Sequence, residues 1–255
     1  MRLAGHHALV TGGGTGIGAA IARTLSAEGA RLTLIGRRLE KLQETAAPIG
    51  SSDVHCATAD VTDRAQVDAA FASAREAHGP ISILINNAGA AGSAPFAKVT
   101  AEAWRQAMAV NLDALLHCCQ AALPDLLQAQ HGRIVTIAST AGLKGYAYTA
   151  PYVAAKHGAV GLTRALAAEL ARANLTVNAV CPGFTGTEIV ADAIAKISAT
   201  TGRSEEEAVA DLTRFNPQGR LVTPEEVANA VLWLCLPESN SINGQSIAVA
   251  GGEVT

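Results

Sequence analysis

Short, continuously apolar runs alternate along the chain with longer segments in which apolar side chains recur every three to four positions. The runs are Ala8-Leu9-Val10, Arg31-Leu32-Thr33-Leu34-Ile35, Asp53-Val54-His55-Cys56-Ala57, Ile81 to Ile85, Arg133-Ile134-Val135-Thr136-Ile137, Thr176 to Cys181 and Ser246 to Val249. Strands that do not alternate belong to a sheet covered on both faces. Helical spacing predicts a helix carrying Ile21, Ala22 and Leu25 and stopping at Gly29. A second runs from about Ala101 to Gln130, kinked at Pro124. A third runs from Pro151 to about Arg172. A last one opens at Thr223-Pro224-Glu225-Glu226 and carries Val231, Leu232 and Leu234. The alternation predicts one α/β domain over 1–255, a doubly wound parallel sheet with helices on both faces. The stretch 184–218 has an irregular pattern with helical pieces and reads as a lid.

Composition narrows the functional classes. Apolar residues make up 49% of the chain, enough for a substantial core. The net charge is -3 with no basic stripe, so a nucleic-acid partner is not expected. No apolar run approaches the ~20 residues of a membrane span, and the N-terminus lacks the apolar stretch of a signal peptide. Cys56, Cys118, Cys119, Cys181 and Cys235 are odd in number and lack metal-ligand spacing. They read as reduced core thiols. The expectation is a soluble cytoplasmic protein with no metal, no nucleic acid and no membrane.

The candidate chemistry starts where the first strand enters Thr11-Gly12-Gly13-Gly14-Thr15-Gly16-Ile17-Gly18. Strand, glycine turn, helix is the setting of a phosphate loop. Glycines let the backbone approach a pyrophosphate, and a helix N-terminus favours an anion. The spacing is Gly-x-x-x-Gly-x-Gly rather than Gly-x-Gly-x-x-Gly, and a plain turn is the alternative. After the second strand, an NAD site usually carries an acid for the ribose 2′-hydroxyl. This chain has Gly36-Arg37-Arg38. A guanidinium fork matches a 2′-phosphate and favours NADP(H) over NAD(H); otherwise both arginines are solvated. Asp60, before Val61, either accepts from an adenine amino group or caps a helix, as Thr62 or Asp63 could. Asn86-Asn87-Ala88-Gly89 leaves room at a strand's carboxyl end, where open sheets bind ligands; an ordinary asparagine turn is the alternative.

Asn111 falls mid-helix, a poor place for asparagine unless its side chain has a task. Pro151 suits the first position of the next helix. There Tyr152 and Lys156 stand one turn apart on one face. A phenol titrates near ~10. A neighbouring ammonium would lower that value and let the tyrosine pass a proton near neutral pH. A partly buried tyrosine and a solvated lysine sharing a helix is the alternative.

Taken in order, Thr11-Gly-x-x-x-Gly-x-Gly18, Asp60, Asn86-Asn-Ala-Gly89, Asn111, Ser139, Tyr152-x-x-x-Lys156 and Pro182-Gly183 resemble the classical short-chain dehydrogenase/reductase family over essentially the whole chain. The resemblance implies a Rossmann-type core, a nicotinamide cofactor and a homotetramer. It implies Tyr152 as general acid/base and Ser139, thirteen residues earlier, as the group holding the substrate oxygen. Lys156 would bind the nicotinamide ribose, and Asn111 would hold a relay water. The cofactor would lie along Gly12, Gly14, Thr15, Gly16, Ile17, Gly18, Arg37, Arg38, Asp60, Val61, Asn87, Ala88, Gly89, Pro182 and Gly183, with Thr185 and Thr187 at the nicotinamide end. Tyr146, Tyr148 and Phe184 would wall the substrate pocket, beside Ala90, Ala91, Ser93, Ala141, Leu143, Ile189 and Ile194.

The segments around Ser139 and from Val177 to Phe184 look most like 3-oxoacyl and polyketide ketoreductases and their hydroxyacyl-CoA dehydrogenase relatives. The expected activity is hydride transfer between NADP(H) and a ketone or secondary alcohol, foremost a 3-oxoacyl thioester or similar ketone. A general secondary- or cyclic-alcohol dehydrogenase is the runner-up. A non-catalytic NADP-sensing protein is the rival from another class. Ala250-Gly251-Gly252 departs from the Asp that many members carry before these glycines, which leaves packing at the C-terminus open.

Overall fold

The computed structural model describes residues 1–50 and 53–254. Its elements are β1 (His7–Thr11), α1 (Gly16–Ala27), β2 (Arg31–Gly36), α2 (Leu39–Ala46), β3 (Val54–Thr58), α3 (Arg64–His78), β4 (Ile83–Asn86), α4 (Ala101–Met108), α5 (Ala114–Gln128), β5 (Gly132–Ile137), α6 (Ala150–Glu169), β6 (Leu175–Pro182), α7 (Glu188–Thr201), α8 (Glu205–Thr213), α9 (Pro224–Cys235) and β7 (Ser246–Val249). The strands pair in the order β3-β2-β1-β4-β5-β6-β7, all parallel. The winding reverses between β1 and β4, which opens a crevice at the carboxyl ends of those strands.

Alternate residues of each strand feed opposite layers. Ala8 and Val10 join Ile21 and Leu25 of α1 and Val231 and Leu234 of α9. Leu9 joins Phe71 of α3 and Leu126 of α5 on the other face. Both faces are covered, which is why the strands read as continuous apolar runs. Each such leucine or phenylalanine stabilises the fold by ~1.5–3 kcal/mol on burial.

The expected helix over Ala101–Gln130 is two helices. Between α4 and α5 the chain makes one π turn, Ala109–Asp113. The interruption falls at Asn111, whereas Pro124 sits inside α5 without ending it. Asn111 Nδ2 donates to the carbonyls of Ala107 at 3.0 Å and Ala90 at 2.9 Å. A side chain inserted into the helical ladder widens the turn in this way. Strand β4 begins later than expected because the Ile81 amide donates to Asp125 Oδ2, 3.1 Å away, instead of to a strand neighbour. Asp63 caps α3, and Asp60 accepts from both the amide and the hydroxyl of Thr62. Thr223 caps α9 in a reciprocal box with Glu226. The lid region contains α7 and α8, joined through Gly202 in the left-handed conformation.

At the amino ends of the strands His7 is 2% exposed. Its Nδ1 lies 2.8 Å from the Gly79 carbonyl and its Nε2 2.9 Å from the Thr33 hydroxyl. A carbonyl only accepts, so Nδ1 carries the proton and Nε2 accepts from Thr33. Burial pushes the ring's pKa down to about 4.

Candidate active site

The glycine loop is tied down from behind. The amides of Gly12 and Gly13 donate to the Ile35 carbonyl. Asn87 Nδ2 donates to the carbonyls of Thr11 at 2.9 Å and Gly12 at 3.1 Å. The amides of Asn87 and Ala88 both donate to Thr11 Oγ1. Asn87 therefore serves as a brace for the loop, with its side-chain amide turned toward the loop's carbonyls. Gly18 permits the close fit: a Cβ there would stand 2.2 Å from the Gly12 carbonyl oxygen. Thr15 precedes α1 without a side-chain cap. The N–H groups of Gly16, Ile17 and Gly18 in that first turn suit an anion, which the helix dipole also favours.

Two clefts flank Glu188 at the start of α7. One, of about 410 Å³, runs between Gly16 and Thr187, Val190 and Ile194. The other, of about 340 Å³, runs between Gly14, Thr15, Arg23, Lys41 and Pro224. Thr187 rests its methyl against Gly16, where an added Cβ would be 3.0 Å from it. Thr185 bridges to Val222 and donates to the Gly183 carbonyl at 3.0 Å. Arg37 and Arg38 are exposed beyond β2. Arg38 Nη2 lies 3.4 Å from Glu188 Oε2. The Asp60 carboxyl is held below its usual range, chiefly by the Thr62 hydroxyl, with a smaller contribution from the charge of Arg37. Val61, beside it, is buried. An uncapped helix start on a glycine turn, open space on both sides and cations where an NAD site has an acid fit a phosphorylated dinucleotide.

Ser139, Tyr152 and Lys156 meet at the carboxyl ends of β5 and β6. Ser139 is extended, and its Oγ accepts from the Ala141 amide at 3.1 Å, closing the short turn Thr140–Gly142. Tyr152 is half-buried in the first turn of α6. Burial drives its phenol above the usual value, and the hydrogen bond with Ser139 pulls the other way. Lys156 is 4% exposed. Its Nζ donates to the Ile137 carbonyl at 2.9 Å and lies over the Tyr152 ring, 5.7 Å from the centroid. Burial lowers this ammonium to about 8. The expected lowering of the tyrosine by the lysine is therefore corrected. Both charged forms lose solvation on burial, and that loss is the largest influence on each group.

Asn111 is fully buried beneath Gly89 and Ala90. Both of its amide protons go to backbone carbonyls, and Oδ1 accepts from the Ala90 amide at 3.3 Å.

At the expected substrate wall, Tyr146 stands edge-on to Phe184, with centroids 6.1 Å apart. It is also edge-on to Phe215 of the lid, at 5.9 Å. Tyr148 departs from the expected wall. Its φ is 65°, and the residue is 66% exposed. Its carbonyl accepts from the Ala94 amide at 2.8 Å. Glu188, Phe215, Lys144 and Glu253 went unnoticed in the sequence. None sits in a periodic or motif position; tertiary contacts alone bring them here. Among the described residues no group of three His, Cys, Asp or Glu side chains could hold a metal ion, and no helix is long and apolar enough to cross a membrane.

Comparison with known proteins agrees with this geometry. The profile described as short chain dehydrogenase matches residues 6–198. A protein of Streptomyces violaceoruber named as ketoacyl reductase 1 of the granaticin polyketide synthase is 40% identical over 249 residues, covering 96% of this chain and 92% of that protein. The 3-oxoacyl-acyl-carrier-protein reductase MabA of Mycobacterium tuberculosis is 34% identical over 244 residues, covering 96% of this chain and 91% of that one. The crystal structure of an actinorhodin polyketide ketoreductase variant with NADPH superposes with a TM-score of 0.93 at 38% identity, over 97% of each chain. With its single parallel sheet, its braced glycine loop and its serine, tyrosine and lysine converging above it, the chain belongs to the short-chain dehydrogenase family.

Proposed function

We propose that this chain uses NADPH to reduce the ketone of a 3-oxoacyl thioester or a similar ketone to a secondary alcohol. The observation that carries the reading is the meeting of Ser139, Tyr152 and Lys156 beside the glycine loop. Relatives named for ketoacyl reduction, one of them solved with NADPH, support the substrate class and the coenzyme. The glycine loop and α1 would hold the pyrophosphate. Arg37 and Arg38 would meet the 2′-phosphate, and Lys156 would hold the nicotinamide ribose. When bound, the coenzyme supplies the hydride.

The chain's own part is to seize one oxygen and give it a proton. Ser139 and Tyr152 would direct two O–H groups at the carbonyl, where charge develops as it is reduced. A phenol held above its usual pKa stays protonated at neutral pH and is ready to act as the acid. The side chain of Asn111 is committed to the backbone, so a relay water here would rest on a main-chain carbonyl loosened by the π turn. A sensor of NADP would need none of this proton machinery. Exposed Trp104 and Leu116 on α4 and α5 support self-association, read as a homotetramer, and five free thiols support a cytoplasmic setting.

The test is turnover of acyl thioester ketones, aryl ketones and cyclic ketones with NADPH and with NADH. The expected result is fastest turnover of the thioesters with NADPH. NADPH binding without oxidation by any ketone would overturn the reading in favour of a sensor. Sedimentation velocity checks the assembly.

A further inference from the structure

The C-terminal turn folds back onto the candidate site. After β7, Gly251 and Gly252 have φ values of 61° and 93°. Gly251 presses on the base of the lid: a Cβ there would stand 2.0 Å from Asn216 Oδ1. Asn216 is itself fixed, donating to the Arg220 carbonyl at 2.7 Å and accepting from the Gln218 amide at 2.8 Å. The turn sends Glu253 inward, where its side chain is 1% exposed.

The carboxylate of Glu253 gathers one loop. Lys144 Nζ lies 3.1 Å from Oε1. The Tyr146 hydroxyl bonds the same oxygen and lies 2.6 Å from Thr140 Oγ1. A carboxylate only accepts and a phenol has one proton, so the bonds run from Thr140 to Tyr146 to Glu253. Oε2 has no hydrogen-bond partner and faces Gly183, 3.0 Å from where a Cβ would be. A carboxylate removed from water is costly unless it is paired and bonded. Here the pairing immobilises Thr140, Lys144 and Tyr146 on the loop that leads from Ser139 to the helix of Tyr152. Lys144 also lies over the rings of Tyr146 and Phe215, 5.0 and 5.3 Å from their centroids.

We propose that Glu253 is a positioning residue that sets the substrate wall: through Tyr146 and Lys144 it fixes where the aromatic face of Tyr146, Phe184 and Phe215 stands relative to Ser139 and Tyr152. The proposal rests on the ketone-reduction reading and adds that the size of acyl chain admitted is governed from the C-terminal turn.

The test uses the full chain with saturating NADPH. The substrates are the acetoacetyl and 3-oxooctanoyl thioesters of N-acetylcysteamine. In E253A and in Y146F the ratio of kcat/KM between the two should shift by about tenfold, the scale on which pocket shape discriminates methylene groups. The change should fall mainly on KM, and NADPH affinity by fluorescence titration should hold. The double variant should shift the ratio no further than either single, as for residues acting in one chain. E253Q, which can still accept from Tyr146, should restore part of the ratio. Equal losses on both thioesters accompanied by a lower Tm would mean a merely structural role and overturn the proposal, as would additive effects. If E253A does not fold, E253Q and Y146F decide the same ratio. A wild-type chain that reduces neither thioester overturns the functional reading as well; an active wild type with an unmoved ratio overturns this proposal alone.

Discussion

Lys156 lies over the ring of Tyr152, 5.7 Å from its centroid, while its Nζ hydrogen bonds are directed at the Ile137 carbonyl. The two residues are helical neighbours, yet burial drives each toward its neutral form. In this arrangement the phenol is held as an acid, and Ser139 is the group that eases its ionisation.

Tyr152→Phe should therefore remove the proton donor without disturbing the loop or α1. NADPH affinity should stay near the wild-type value while kcat falls by ~10²–10⁴-fold, the usual contribution of a positioned acid. Fluorescence titration and single-turnover kinetics measure the two separately. A kcat close to wild type would take the proton-donor role away from Tyr152.

Arg38 faces a competitor. Glu188 sits 3.4 Å from it, and both side chains are more than half exposed. An exposed pair of this kind contributes only ~0–1 kcal/mol, but its negative end stands where a 2′-phosphate would approach. Glu188→Gln should raise affinity for 2′,5′-ADP several-fold at low salt, leave 5′-AMP unchanged, and lose most of the effect at ~1 M salt, where the Debye length is only ~3 Å. Calorimetric titration of both nucleotides checks it. An equal change for both would remove Glu188 from coenzyme selection.

Gly18 is a packing position. In Gly18→Ala the new methyl would meet the Gly12 carbonyl at 2.2 Å and the Asn87 amide at 2.6 Å. Overpacking of this sort costs ~1–3 kcal/mol, and relief requires the loop to move. Urea unfolding should show that loss together with a large fall in NADPH affinity. Unchanged affinity would mean that the loop does not cradle the coenzyme.

His7 predicts how acid weakens the fold. Its folded pKa is about 4 against ~6.5 in the unfolded chain. Between those values the unfolded chain binds the extra proton, so stability is full above pH ~6.5 and falls as the pH drops toward ~4. The loss amounts to roughly 3 kcal/mol for this residue. His6 and His78 are lowered as well and act in the same direction. Urea unfolding at pH 7.5 and 4.5 should show the loss, and His7→Gln should flatten it. An equal slope in the variant would assign the acid sensitivity to other groups.

Much of this molecule is written locally. Val54, Ile83 and Val135 betray their strands because full burial demands apolar side chains whatever their neighbours. Tyr152 and Lys156 betray their shared face because four residues make about one helical turn. Nonlocal effects were hidden. Whether Tyr152 is raised or lowered depends on the wall around it, which spacing does not reveal. Tyr148 takes a backbone conformation that bulky side chains rarely adopt, and nothing in its neighbours announces it. Glu253 is a single acid near the chain's end, brought to Tyr146 by a glycine turn that meets Asn216. Pro124 does not end its helix; the helical pattern is divided instead at Asn111, whose side chain reaches Ala90.

The π turn at Ala109–Asp113 has an effect on direction. Each residue advances a helix by ~100°, so one surplus residue re-aims everything downstream by about that angle. Upstream, α4 leans on α6; downstream, α5 lies on β4 and β5. A single uninterrupted spiral, drawn on one wheel, would have to serve both neighbours with the same stripe. The chain instead resets its azimuth at Asn111: the five residues of the wide turn take up the surplus one, and Ala114, Cys118 and Leu126, which pack with Leu84 and Ile134 of the sheet, would sit about 100° away from it on a regular helix through the same sequence.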